Sequence, residues 1–259
     1  SCCVDYEQSA PTFDERYELN PLDGVAQALL GLVADLDAQS VLEIGCGTGH
    51  WLAQLTSGDC RVFGLDFSPA MLRQARRRNE SCRLMRGRAG QLPLLSTSFD
   101  LVFCVAAIHQ FERQGEFVHE GCRLLRPGGA LAVVGMDVRS PLHDWYIHDY
   151  FETTLRDDLE RYPTREDLTD WAAGAGFSRI EFRAVERILD RHVGREVLEA
   201  PFLRKRSCSQ LAALTDEAYE EGLRRIEAAV AEADEVGEEI VFVTDLQLMM
   251  LVCRVGEED

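Results

Sequence analysis

Apolar residues recur at helical spacing from Pro21 to Leu36: Val25, Leu29, Leu32, Val33 and Leu36 fall on one face, and Pro21 suits a first turn. The pattern then tightens into a continuous run, Val41-Leu42-Glu43-Ile44, broken by one acid and followed by Gly45, Gly47 and Gly49. Helical-looking sequence resumes from His50 to Leu55. Arg61 to Asp66 reads as a second strand ending in an acid, and Ser68-Pro69 as the cap and first position of a helix. Cys82 to Met85 predicts a short third strand, and Phe99 to Ala106 a fourth, introduced by the turn-prone Ser96-Thr97-Ser98. A helix carrying Phe117, Cys122, Leu124 and Leu125 leads through Arg126-Pro127-Gly128-Gly129 into a fifth strand, Ala130 to Met136. Strands alternating with helices at this spacing predict an α/β fold with a parallel sheet wound on both sides.

After Asp137 the alternation loosens. Residues 138–163 are rich in aromatics and histidines and read as one irregular helix. Thr164, with Glu166-Asp167 behind it, marks a helix start that runs to Ala173. Phe177 to Val185 reads as a sixth strand. A long excursion to about Val236 follows, whose helix has Tyr219, Leu223, Ile226 and Val230 on one side and acids on the other. Ile240 to Val255 reads as a long last strand with Thr244-Asp245 as a bulge. The first 20 residues are polar with spaced aromatics at Tyr6, Phe13 and Tyr17, the look of a leader segment.

Composition narrows the partners. A chain of 259 residues is long enough for one large domain with a sizeable core. Its formal charge of -18 argues against a nucleic-acid partner, because binding phosphates takes Lys and Arg to replace counterions. The local cluster of Arg73, Arg76, Arg77, Arg78, Arg83, Arg86 and Arg88 reads as a solvated helix face. Nine cysteines form no C-x-x-C pair, and Cys46, Cys104, Cys122 and Cys253 sit in apolar segments, as buried thiols of a reducing compartment do. Cys2 and Cys3 carry no metal or redox signature beyond their adjacency. With no secretory apolar region at the start and no run near the ~20 residues of a membrane span, the expectation is a cytoplasmic protein without a membrane partner.

The glycine turn has the physical properties of a cofactor cradle. Glycine admits positive φ and lets a ligand approach without meeting a Cβ, and the following helix presents free N–H groups. A dinucleotide fingerprint needs G-x-G-x-x-G; here His50 stands where the last glycine belongs, and Gly49 comes one residue early. That departure disfavours a nicotinamide oxidoreductase, whose last glycine serves helix–strand packing under a pyrophosphate. Asp66, about 20 residues on, is placed to receive a ribose diol.

Glu-x-Gly-x-Gly-x-Gly after the first strand resembles motif I of class I S-adenosylmethionine-dependent methyltransferases, and further segments resemble that family in order and spacing. Asp66 resembles its ribose-binding acid. Gly87-Arg88-Ala89 with Leu92-Pro93 is similar to its G-D-A-x-x-L-P segment. Phe99-Asp100-Leu101-Val102 through His109 resembles the fourth-strand motif, Leu125-Arg126-Pro127-Gly128-Gly129 the L-x-P-G-G turn, and Gly174-Ala175-Gly176-Phe177 the A-G-F turn before the sixth strand. The likeness covers about residues 35 to 185. It implies a Rossmann-like sheet of seven strands, mostly parallel with the last antiparallel, plus a helical lid. It further implies a single methyltransferase domain over 1–259. Residues 1–36 would cover the cofactor, 37–137 would bind it, and 138–163 and 187–236 would be lid insertions over the active site.

By the same resemblance S-adenosyl-L-methionine is the cofactor and S-adenosyl-L-homocysteine the product. Glu43, with the backbone of Gly45, Cys46 and Gly47, would hold the methionine end. Phe67 and Met71 would pack against adenine, Ala89 would offer its backbone to the adenine edge, and Val105 would line the methionine side. Ala10-Pro11-Thr12-Phe13-Asp14 resembles the A-x-x-Y-D segment that closes over the cofactor, with Phe13 in place of tyrosine. Arg88 stands where the family has an acid that accepts from the adenine amino group; arginine has only donors and cannot make that bond.

The expected reaction is methyl transfer to an oxygen or nitrogen of a small molecule. Alternatives are a protein that binds the cofactor without transfer and, less favoured, the nicotinamide enzyme. His109, past the C-terminal end of the fourth strand, is the candidate general base, with Asp137 at the same end of the fifth strand assisting it; pocket lining is the plainer role for His109. His143 and His148, five apart, do not share a helical face as i,i+4 would, and read as solvated histidines rather than metal ligands. Trp145, Tyr146, Tyr150, Phe151 and Phe202, with Arg204 and Arg206 at the rim, are candidates for an acceptor pocket; core of a helical cap is the plainer role for each.

Overall fold

The computed structural model describes residues 6–56 and 60–257, leaving aside the side chains of residues 8, 9 and 19. Cys2 and Cys3 lie outside the described residues. The chain divides into two compact units. The larger comprises Leu22–Asp137, Tyr162–Glu186 and Leu248–Asp259; the smaller comprises Ser1–Pro21, Val138–Arg161 and Arg187–Gln247.

The larger unit is built on β1 (Ser40–Ile44), β2 (Arg61–Asp66), β3 (Arg83–Arg86), β4 (Phe99–Val105) and β5 (Leu125–Met136). These five are parallel in the order β3-β2-β1-β4-β5. The Leu248–Arg254 part of β8 (Val241–Arg254) adds antiparallel to β5, from Ala130↔Arg254 to Met136↔Leu248. β7 (Arg179–Val193) pairs with β8. All five residues of β1 are buried, as a strand covered on both faces should be. Helices Asp23–Asp35, His50–Leu55, Pro69–Arg78, Gln114–Leu124 and Arg165–Ala175 flank the sheet. Phe117, Leu124, Val102, Leu131 and Leu251 belong to the core on one side of it.

Local signals explain the boundaries. Ser68 accepts from Met71 N at 3.2 Å, with Pro69 at the first helical position. Thr164 and Asp167 form a reciprocal capping box. The Pro127-Gly128-Gly129 segment produces a register shift, since Phe99 pairs with Leu125 and Leu101 with Ala130. Behind it Arg126 donates to Asp100 Oδ1 at 2.6 Å, while Asp100 Oδ2 accepts from Gln39 N, Ser40 N and Ser40 Oγ at 2.8–2.9 Å. Burial pushes the Asp100 carboxyl up, but Arg126, Ser40 and the Gln39 amide together hold it below its ordinary value.

Several expectations need correction. The first helix begins at Asp23, after Leu22 takes a left-handed φ of 55°, so Pro21 lies outside it. The third strand is Arg83–Arg86, and β7 continues to Val193, its alternation slipping at Arg183–Glu186 and then resuming. The last strand has no bulge at Thr244-Asp245; these residues pair instead with β6 (Asp144–Trp145), an eighth strand that falls within the segment expected to be one irregular helix. That segment continues as two helices, Tyr146–Tyr150 and Thr154–Arg161. In the smaller unit the first of these packs with the Asp216–Val236 helix, where an added Cβ on Gly222 would meet the Phe151 ring at 2.2 Å.

Candidate active site

β1, β2, β4 and β5 end at one edge of the sheet, and the expected cofactor residues other than Phe13 lie at or just past those ends or that of β3. Gly45, Gly47 and Gly49 all take positive φ, 76°, 50° and 74°. A Cβ on Gly45 would lie 2.7 Å from Ala107 Cβ, and one on Gly49 3.0 Å from Ala75 Cβ. The third glycine therefore seats the turn against the Pro69–Arg78 helix. Gly45 N and Cys46 N both donate to Leu65 O, at 2.8 and 3.0 Å. Asp66 ties the two loops together: Oδ2 accepts from Gly47 N and Oδ1 from Ser68 N, each at 2.8 Å.

Glu43 stands out electrostatically. It is 1% exposed, and its Oε2 has no hydrogen-bond partner among the described residues. Burial, and then the Asp66 charge, raise its carboxyl well above the usual carboxylate range. An acid buried without a cation and beside another acid is a poor structural element. It suits a ligand that brings its own ammonium, so the residues present fit the methionine end of S-adenosylmethionine. Cys46 is no nucleophile: burial first, then Glu43 and Asp66, push its thiol up.

Toward the expected adenine end, Phe67 is 54% exposed, and Met71 and Ala89 are buried. The Ala89 loop is pinned where Leu92 N donates to Glu120 at 2.9 Å and Arg123 donates to Leu92 O at 3.1 Å. Arg88 turns its guanidinium over the Phe67 ring, 4.6 Å from the centroid, and pairs with Glu112.

Val105 ends β4, and Ala106 then takes a left-handed φ of 48°, an uncommon state for a residue with a Cβ. His109 lies in the short turn Ile108–Gln110 and is buried. Tyr162, a residue the sequence did not single out, stacks on it with centroids 4.2 Å apart and planes at 15°. The tyrosine oxygen is 3.5 Å from His109 Nε2. Nearly parallel rings stack on one another, with that long contact beside the stacking. Asp137 is half-buried and follows β5 directly; Val105 and Val134 are register partners, so His109 and Asp137 leave the same edge of adjacent strands.

In the smaller unit, Phe13 carries the Arg16 guanidinium 3.4 Å from its ring centre. Phe151 is core, stacked on Tyr219. Arg204 pairs with Glu15 at 3.1 Å. Trp145 and Tyr146 are buried, and Trp145 Nε1 and Tyr146 Oη have no hydrogen-bond partner among the described residues. Burial raises the Tyr146 phenol well above its ordinary value. The expectation of solvated histidines fails for His148: its side chain is 5% exposed and bonds His143 Nε2 at 3.1 Å and Thr154 Oγ1 at 3.1 Å. Among the described residues no three His, Cys, Asp or Glu side chains are grouped to hold a metal. No helix of the described residues is long and apolar enough to cross a membrane. A cavity of about 580 Å³ lined by Leu32, Asp35, Arg183, Val252 and Arg254 lies toward the start of β5, away from the glycine turn.

Comparison with known proteins agrees with this geometry. Residues 42–133 match a family described as a methyltransferase domain. A probable S-adenosylmethionine-dependent methyltransferase of Mycolicibacterium smegmatis is 29% identical over 79% of this chain and 81% of its own. A malonyl-[acyl-carrier protein] O-methyltransferase of Enterobacter lignolyticus is 32% identical over 49% of this chain, which spans half of that protein. Among solved structures, a putative methyltransferase from an antibiotic biosynthesis pathway of Anabaena variabilis superposes with a TM-score of 0.68 at 21% identity, covering 88% of this chain and 96% of that one. Sheet order and glycine turn thus define a Rossmann-like enzyme built for a nucleoside cofactor. Residues 42–133 carry a methyltransferase domain, and together with the relatives these matches support a class I S-adenosylmethionine-dependent methyltransferase.

Proposed function

We propose that the enzyme moves the methyl group by direct displacement to a small molecule, and that the acceptor atom is an oxygen deprotonated by His109. The observation that carries this reading is the buried imidazole past the end of β4, its ring held by Tyr162. The bound cofactor supplies a methyl group already activated on a sulfonium. Glu43 would meet the ammonium of its methionine end, and Asp66 would accept from its ribose hydroxyls. His109 takes the acceptor proton on an imidazole nitrogen, and Asp137, leaving the neighbouring strand at the same edge, assists it. Alignment is the larger part of the catalysis, since orientation alone supplies effective molarities of roughly 10⁵–10⁸ M. Acceptor recognition is assigned to segments 138–163 and 187–236, where the Trp145 N–H and Tyr146 O–H are buried donors in want of an acceptor. A nitrogen acceptor that arrives unprotonated has less need of the base. The O-methylation named for the relative from Enterobacter lignolyticus supports oxygen.

The test begins with analysis of co-purified ligands and a metabolite screen that detects S-adenosylhomocysteine release. With the acceptor in hand, His109→Ala should lower turnover about 10²–10⁴-fold at neutral pH. Near-full turnover in that variant would remove His109 from the mechanism and leave nitrogen as the favoured acceptor.

A further inference from the structure

Residues 73–88 hold seven of the chain's 27 basic residues and, in Glu80, one of its 45 acids. Arg73, Arg76, Arg77 and Arg78 come from the Pro69–Arg78 helix, and Arg83 and Arg86 from β3, the outermost strand on that side of the sheet. All six side chains are exposed. Three of them are fixed by neutral groups, which orients the guanidinium without cancelling its charge. Arg76 donates to the carbonyls of Glu80 and Cys82 at 3.1 and 3.0 Å. Arg83 lies over the Phe63 ring at 5.4 Å, and Arg86 donates to Phe67 O at 3.2 Å. Charges pinned in this way lose less rotamer freedom when a carboxylate arrives, and the planar guanidinium fork matches a carboxylate in two bonds.

We propose that this arginine face docks a small protein that presents a local cluster of surface carboxylates. The size and setting of the patch select that occupant. The helix is ten residues, about 15 Å long. The remaining chain is strongly acidic, and charges beyond about 8 Å are screened at physiological salt. A small partner meets only the patch. An extended polyanion such as a duplex or an anionic bilayer also meets the acidic surface around it. A second copy of this chain would have to use a different, acidic surface against the patch, a head-to-tail contact that propagates instead of closing. The inference does not depend on the identity of the methyl acceptor.

The probe is a short fluorescein-labelled poly-glutamate peptide, compared with a labelled DNA duplex and with phosphatidylserine-containing vesicles. Wild-type protein should bind the peptide most tightly, with affinity falling as salt rises. Arg76→Gln/Arg77→Gln/Arg83→Gln should lower that affinity about tenfold or more and flatten its salt dependence. Neutralising Arg165, Arg179 and Arg183 instead, the same charge change within the same unit at β7 and the helix before it, on the side of the sheet away from β3, should alter it less than about twofold. Should the triple variant melt early, Arg77→Gln/Arg83→Gln, which removes no hydrogen bond described above, reads the same quantity. The proposal is overturned by absent peptide binding, by equal binding in both triple variants, or by tighter binding of duplex or vesicles. Sedimentation showing self-association that the patch variant abolishes would also overturn it, in favour of a second copy.

Discussion

Each unit buries one carboxylate completely, and the two are treated in opposite ways. In the smaller unit Asp158, 0% exposed, receives Arg161 at 2.5 Å on one oxygen and Gln210 at 2.8 Å on the other. Burial raises its carboxyl, and Arg161 and Gln210 oppose that rise. In the larger unit Glu43 has no arginine, an oxygen without a partner, and Asp66 for a neighbour. A buried polar group that is fully satisfied specifies its surroundings; one left open costs stability until something completes it. Asp158 therefore belongs to the architecture of its unit, while Glu43 is kept open for a ligand.

Breaking the closed network should give the largest effect. Asp158→Ala strands Arg161 and should cost about 3–5 kcal/mol, read as an early melting transition. If the change is within experimental error, Asp158 is not the closed site described. A pH series tests the same network more finely through His148, whose Nε2 lies 3.8 Å from Asp158 Oδ2. Burial, and then His143, lower His148 to about 4, against 6.5 ordinarily. Between those values the unfolded chain binds the extra proton, so stability falls as pH drops through that window, by about 2 kcal/mol at pH 5. His148→Asn should flatten the wild-type decline in melting temperature between pH 7 and pH 5; parallel curves would contradict the burial of a neutral imidazole. The smallest change in free energy is expected at the open site. A carboxyl raised by burial costs stability once ionised, so Glu43→Gln should leave the ligand-free melting temperature level or higher. Its affinity for S-adenosylmethionine, measured by calorimetry, should fall about tenfold, near 1.4 kcal/mol. A lower melting temperature would assign Glu43 to architecture as well.

The contrast also explains what could be read in advance. The strand, the three glycines and Asp66 are local: positive φ, close approach and an acid at a strand end are all written in short segments. So are the caps at Ser68 and Thr164. Tyr162 was missed because its contact with His109 joins residues 53 apart, and nothing in Arg161-Tyr162-Pro163 marks it as anything but part of an insertion. The burial of His148 was missed because its network is closed by Gln210, from a segment that periodicity leaves as loop. Arg88 was legible as a departure from the family, but its stacking on Phe67 was not.

The Asp100 carboxylate, near the start of β4, draws its partners from the starts of two other strands, with Ser40 60 residues and Arg126 26 residues away in the chain. None of those bonds can form until loops of that length have closed, an entropy that must be spent first. An interaction absent from the transition state acts on the unfolding rate, so Arg126→Ala is expected to speed unfolding more than it slows folding, and the clamp at the rim of the sheet is then a device for how long the folded enzyme lasts.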